Sequence, residues 1–400
     1  MERGLVSRGV SVRSTLSCNG RVELRRRRFQ NPDGTVEAAV DELIDLAGRG
    51  VSLATREMCC RVAVDCGSFA RAAANLKRLA GLTLSDETLR QVAQCEGRAV
   101  LAWQEDGQLE LDFDAGQWVT QATADQRPVR RAYVGIDGFL LPMVTDAEVA
   151  KRLQKARVRR KSLRRHRGVR RPKLRHRRGA DQRYKEMKLV TIYDQPKEHR
   201  LVRATRLGVD KAGRMLRQMR GDVRLHRADQ TVAVTDGAEW IAGLVERNLP
   251  VGTRTVVLDY YHASQHVHQA RRAIFGESDA RGQTWADQVL HHLSHESFES
   301  AWDVLLGTRS KLRSVVKRKA LDELMRYLGS RQEKVNYPAF RAAGLDIGSG
   351  PTESMCKSLS RRMKGVGMRW TPRNAQAMTA LEALHQSNLW SAYWSTRLAA

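Results

Sequence analysis

Three acidic residues stand where the chain could use them for chemistry. Asp137 interrupts the apolar run RAYVGIDGFLL, Asp236 closes TVAVTDG, and Glu353 falls in the first turn of a helix after GSGPT. An aspartate inside an apolar strand is costly unless it is paired or metal-bound. Carboxylates at the ends of neighbouring strands and on one facing helix are a usual way to hold a pair of Mg²⁺ ions, which take oxygen ligands. Such a pair, about 4 Å apart, activates the attacking water or hydroxyl and stabilises the leaving oxygen in phosphodiester cleavage. Each acid also has a local reading. Asp137 can begin an Asp-Gly turn with Gly138, Asp236 can cap the helix near Ala238, and Glu353 suits any helix N-terminus.

Other chemical residues are weaker. His262, His266 and His268 are close in sequence, but only the first two share a helical face and no HExxH glutamate follows, which argues against a zinc hydrolase. Trp285 and Trp302 read first as core residues of amphipathic helices and second as stacking platforms for bases. Arg361, Arg362, Lys364 and Arg369 lie just beyond Glu353 and can clamp phosphates by charge-assisted bonds. The six cysteines make no CxxC pair and read as reduced thiols.

The elements that must position the acids alternate between periods. Residues 1–35 read as a weakly ordered basic N-terminus, apart from a short basic strand in RVELRRRRF. Residues 36–106 read as helical: VEAAVDELIDLAG, a helix from Leu53 to Val64, then FARAAANLKRLAG capped by Ser68 and stopped by Gly81, and a last helix started by Ser85. Helix, short turn and helix is the helix-turn-helix outline, with Arg90 and Gln91 at the start of the reading helix. Residues 107–129 read as a linker with a short strand in LELDF. Strand-like and helical segments then alternate, the α/β signature, through 130–262. Almost everything from 263 to 341 is helical, and 342–400 adds a Gly/Pro turn and helices.

The chain of 400 residues carries a formal net charge of +26. Between Lys151 and Arg178 there are 16 Lys and Arg in 28 residues and no acid. Like charges repel, and so little apolar surface cannot offset chain entropy, so this block is expected to be mobile until it meets a polyanion. Nucleic acid suits it best, since neutralising phosphates releases counterions. Arg159, Arg160, Lys161, Arg164 and Arg165 are the candidate DNA contacts in it. No run of eighteen apolar residues and no secretory leader occurs, so neither a membrane span nor secretion is expected.

The segments YVGIDGF, VTDGAEWI, LDYYHASQHV and GSGPTESMCKSLSRRMKGVGMRW resemble the catalytic blocks of DDE transposases of prokaryotic insertion sequences, in the ISKra-type branch related to Mutator-like elements. The resemblance covers roughly residues 130–390, and its most specific part is the last block. It implies an α/β, RNase H-like catalytic core with an all-helical insertion at 263–341, in which Asp137, Asp236 and Glu353 bind two Mg²⁺ or Mn²⁺ ions. Asp259 and His262 match an accessory Asp-x-x-His element. The implied activity is cleavage of element ends and joining of the 3′ hydroxyl to target DNA, by copies assembled on DNA in a prokaryotic cytoplasm, at the nucleoid. A nuclease without strand transfer and an inactive DNA-binding descendant are the rival readings. Two departures stand out: relatives often carry N-terminal cysteine pairs with metal-ligand spacing, which this chain lacks, and the basic insertion 151–178 is longer than such relatives lead one to expect.

Overall fold

The computed structural model describes residues 6–38, 41, 50–107, 109–121, 128–166, 184–365 and 367–399. In chain order the elements are β1 (Val6–Ser17), β2 (Gly20–Gln30), β3 (Val36–Glu37), α1 (Leu53–Asp65), α2 (Phe69–Ala80), α3 (Asp86–Glu105), β4 (Val119–Gln121), β5 (Pro128–Pro142), α4 (Asp146–His166), β6 (Tyr184–Asp194) and β7 (Arg200–Thr205). They continue with α5 (Val209–Asp222), β8 (Gln230–Thr235), α6 (Glu239–Asn248), β9 (Arg254–Leu258), α7 (Tyr260–Phe275), α8 (Ala280–His291), α9 (Phe298–Lys311), α10 (Val315–Gly329), α11 (Tyr337–Ala342), α12 (Gly350–Arg361), α13 (Pro372–Gln386) and α14 (Trp390–Ala399). The fold is mixed α/β. No helix among the described residues is long and apolar enough to cross a membrane. Two compact units result, one of residues 1–109, 140–187 and 357–400, the other of 110–139 and 188–356.

The second unit is built on a mixed sheet in the order β7-β6-β5-β8-β9, with β4 also pairing with β5. TVAVT and RTVVL are β-branched and apolar, the composition of strands buried on both faces. β5, β8 and β9 run parallel, and parallel neighbours need a crossover, which α6 supplies between β8 and β9. β6 and β7 form an antiparallel pair. One apolar cluster runs from Tyr133, Val232 and Val257 on the sheet through Ala263 and Val267 of α7 to Leu305, Leu321 and Leu328. The helical segment after β9 therefore shares its core with the sheet. Trp285 belongs to that core, and its indole N–H donates to Thr308 Oγ1 at 2.8 Å, which commits it to packing.

The first unit joins α1–α3 to the two last helices. Ser52, Ser68 and Ser85 each accept a backbone N–H at a helix start, and Gly81 ends α2 with φ of 69°. α3, the helix expected to read DNA in the helix-turn-helix outline, is the central helix of this unit. It buries Leu89, Val92, Ala93 and Val100 against its neighbours, while Arg90 is occupied by Glu87 and Gln94. At Gly97 a Cβ would overlap the Ala377 backbone, lying 2.7 Å from its carbonyl carbon, so α3 and α13 meet backbone to backbone. Tyr393 of α14 donates to buried Glu96 at 2.6 Å and meets Trp103 edge to face. The C-terminal helices α13 and α14, expected on the catalytic core, complete the N-terminal helical unit instead.

Other expectations change as well. The N-terminus is an antiparallel hairpin of β1 and β2 rather than weakly ordered chain, pinned near its turn where Leu16 bridges Val51. The helix expected over 36–46 lies mostly outside the described residues, with Val36–Glu37 a short strand. In place of a linker, the stretch before β4 buries Phe113 stacked on Trp118, and LELDF forms no strand. The basic block folds as helix through His166, because Lys, Arg, Leu and Ala are good helix formers, and residues 167–178 lie outside the described residues. Gly97→Ala should destabilise the protein by about 1–3 kcal/mol in urea unfolding, from overpacking against the Ala377 backbone, although alanine is the better helix former. A gain in stability would show that the two helices can part.

Candidate functional site

Strand register brings the acids to one end of the sheet. Gly135 is matched with Val234 across β5 and β8, so Asp137 and Asp236 each lie two residues beyond a matched pair. Thr235 is matched with Leu258 across β8 and β9, which sets Asp236 beside Asp259. Residues two apart on a strand share a face. Asp137 is half-buried and accepts the Gly138 N–H at 2.6 Å. Burial raises its proton affinity; the Cys356 thiol and the Gly138 N–H pull the other way, the negative charge of Asp236 pushes it up again, and His262 draws it down. Asp236 accepts the Ala238 N–H at 2.8 Å, so one of its oxygens does serve the local turn. Tyr327 donates to the Asp236 carbonyl at 3.3 Å, and Arg331 to that of Gly237 at 3.0 Å. Burial pushes the Tyr327 hydroxyl up to about 12, and its ring stacks on His266 at 3.7 Å.

Asp259 is the most enclosed of these carboxylates, with no exposed surface. It caps α7, accepting the His262 N–H at 2.8 Å, and it accepts the Ser349 N–H as well. Burial by itself would raise its pKa, but these hydrogen bonds prevail and hold it at about 2. His262 Nδ1 lies 3.5 Å from Asp259 Oδ1. That interaction raises the histidine's pKa against the cost of burial, with further help from the charges of Asp236 and Glu353. Ser349 Oγ is 3.5 Å from Glu353 Oε1. Asp259, His262 and Glu353 can each offer one ligand atom with all three within 4.8 Å of one another. Glu353 thus groups with the two residues expected to be accessory, while Asp137 and Asp236 are coupled to this group through charge.

The helix carrying Glu353 is held down before it starts. Buried Arg131 donates to the carbonyls of Ala343 and Gly344 at 3.0 and 2.9 Å. The Asp346 N–H reaches the Tyr133 hydroxyl at 3.0 Å, and the Tyr260 N–H reaches the Ile347 carbonyl at 2.9 Å. Then Thr352 presses on β5 at Gly135, where a Cβ would overlap its Oγ1 and stand 2.8 Å from Thr191 Cγ2. Gly135, Ser349, Thr352 and Cys356 were not singled out in the sequence. Only Gly135 carried a visible signal, since a glycine inside a strand marks a close approach.

The candidate DNA contacts divide. Arg159 is exposed on α4; Arg160, Lys161, Arg164 and Arg165 follow on the same helix with side chains outside the described residues. Arg361, Lys364 and Arg369 are exposed. Arg362 is not available to phosphate: it is 6% exposed, donates to the Ala63 carbonyl at 2.6 Å and lies 4.5 Å from the Phe69 ring centroid. It is a buried structural cation, and that corrects the sequence reading.

Two outcomes follow for the enclosed residues. Gly135→Ala should cost about 1–3 kcal/mol in urea unfolding, because neither β5 nor Thr352 can yield without moving the other. Asp259→Asn should be less stable than the wild type at pH 5 by on the order of 2 kcal/mol, reflecting a pKa lowered from 3.8 to about 2. A depressed carboxylate stabilises the fold above its unfolded pKa and loses that contribution as pH falls through the folded one. The gap between the two proteins should therefore close from about pH 4 to about pH 2. A gap that stays constant would remove Asp259 from this role.

A search of the solved structures finds the strand transfer complex of the Drosophila P element transposase, at 11% identity over 86% of this chain and 80% of that one. The TM-score is 0.25. No curated protein matches the sequence. The model of the Uncharacterised protein family (UPF0236) matches residues 10–392, nearly the whole sequence, and the chain belongs to that family.

Proposed function

We propose that this protein is a DDE-type DNA transposase of ISKra type on an RNase H-like fold, cutting insertion-sequence ends and joining the 3′ hydroxyl to target DNA. The observation that supports it is the strand register that aligns Asp137 with Asp236 at the same end of parallel neighbours, with Glu353 on a helix strapped to those strands. Asp137, Asp236 and Glu353 would hold two Mg²⁺ or Mn²⁺ ions. Their oxygen donors suit such ions. The raised proton affinity of Asp137, set by burial and sustained by Asp236, is a demand for positive charge at that point. When bound, the ions would lower the pKa of the attacking water or hydroxyl and stabilise the leaving oxygen.

The chain's own residues have separate tasks in this reading. Asp259 orients His262 and keeps it cationic to higher pH than an ordinary histidine. From Nε2 that imidazolium would give a hydrogen bond to a phosphate oxygen. Ser349 steadies Glu353, and Cys356 does the same for Asp137. Arg159, Arg160, Lys161, Arg164, Arg165, Arg361, Lys364 and Arg369 would hold donor and target phosphates, with copies of the chain assembled on DNA.

The test is a strand-transfer assay on duplexes taken from the DNA flanking the coding region. The wild type should give joined product. Asp236→Ala should abolish cleavage and joining while changing DNA affinity by less than about threefold, on the order of 0.7 kcal/mol. Nicks without joining would assign a nuclease, and binding without either would assign an inactive descendant. A collapse of binding in Asp236→Ala would make this aspartate structural.

A further inference from the structure

The N-terminal hairpin has two unlike faces. In its register Val12 is matched with Arg25, and Val10 with Arg27. Val10, Val12, Arg21, Glu23, Arg25 and Arg27 are all exposed, and alternation puts them on one face. The opposite face carries Arg13 and Arg26, which both meet Asp41, together with Thr15, which is buried. Arg26 is therefore balanced by a carboxylate. Arg25 and Arg27 have no such partner among the described residues. Leu16, opposite Arg21 in the same row, is buried, and β3 extends β2 at Phe29 and Gln30. Between those ends, at Val10, Val12, Arg25 and Arg27, the outer face meets no partner among the described residues, and its charge is mainly positive.

We propose that this ribbon is a DNA-reading element that lies in the major groove, with Arg25 and Arg27 on guanine edges. The partner rests on the transposase reading above, and the element adds how its DNA would be recognised. The major groove admits a two-stranded β-ribbon, and an arginine fork pairs with the O6 and N7 of guanine. Along a strand, residues two apart are separated by about 6.6–6.8 Å. That is two base-pair steps of about 3.4 Å, so Arg25 and Arg27 would address base pairs two steps apart. Glu23 continues the row and can accept from the N4 of cytosine, while Val10 and Val12 offer apolar contact to thymine methyls. A patch that only attracted phosphates would need neither an acid in the row nor exposed valines. The turn end is fixed by the Leu16 N–H to the Gly50 carbonyl at 2.8 Å and the Ser52 N–H to the Leu16 carbonyl at 2.9 Å, so the ribbon is presented on a firm base.

The experiment selects binders of the full chain from a pool of duplexes with randomised cores, then measures discrimination between the selected duplex and the unselected pool. The wild type should enrich a sequence with two guanines two base pairs apart, and methylation of their N7 atoms should block binding. Arg25→Ala with Arg27→Ala should lose about 5-fold to 100-fold of discrimination per contact while still binding the pool. Arg25→Lys with Arg27→Lys should keep the salt dependence yet lose the same discrimination, because lysine lacks the fork. Arg26→Lys, altering the inward face, should leave the preference intact. Circular dichroism of each variant should match the wild type, as the outer residues are exposed. Unchanged discrimination in the paired variants would overturn the proposal while leaving strand transfer standing. Absence of any duplex binding by the wild type would overturn both.

Discussion

Thr352 rests on the bare backbone of Gly135, and the arrangement of the acids depends on that contact. Hydrogen bonds fix the segment 343–349 to the sheet, but they set its path and not its height. The height comes from an absent side chain. With any Cβ at 135, the first turn of α12 would ride up off β5, and Glu353 is one residue past the point of contact. A single excluded volume thus couples a strand carrying one carboxylate to a helix carrying another, across more than two hundred positions of sequence.

Charge makes the second constraint. Four carboxylates share one end of a sheet, and repulsion among them has to be met. Asp259 is met by backbone N–H groups and by His262, which is why it stays ionised without exposed surface. Asp137 is met incompletely, since burial and Asp236 both favour its protonated form. The site therefore contains one carboxylate whose charge the protein satisfies and another whose charge it leaves wanting. Tyr327 and Arg331 take no part in this balance through their own hydrogen bonds, which go to backbone carbonyls at Asp236 and Gly237 and fix the turn itself.

How much of this was legible varies with the physics. TVAVT and RTVVL announce buried strands because a two-faced core demands continuous apolar residues, and a terminal aspartate is conspicuous there. The hairpin escaped because its exposed face carries the valines and its inner face carries Ser11, Arg13 and Thr15, which erases the usual alternation. The helix over 146–166 was hidden for a different reason: repulsion argues against order, while the propensity of the same residues argues for it. Arg362 could not be told from Arg361 by charge, since only the position of Ala63, Phe69 and Trp370 in space decides which one is buried. The seating of Glu353 next to Asp259 and His262 depends on Ser349 and Thr352, ordinary residues in sequence.

The seam of α3 against α13 and α14 has a bearing on synthesis. Gly97 and Glu96 wait for Ala377 and Tyr393, which the ribosome adds 280 and 297 positions later. Until then Trp103 lacks the Tyr393 ring that meets it edge to face, so the N-terminal helices would stay incompletely packed. Their native contacts are of long sequence separation, so they form late and slowly. A chain terminated early by a frameshift or stop codon would lose more than its tail: it would be born with an open N-terminal core, a natural substrate for proteolysis. Only translation through α14 yields that unit closed.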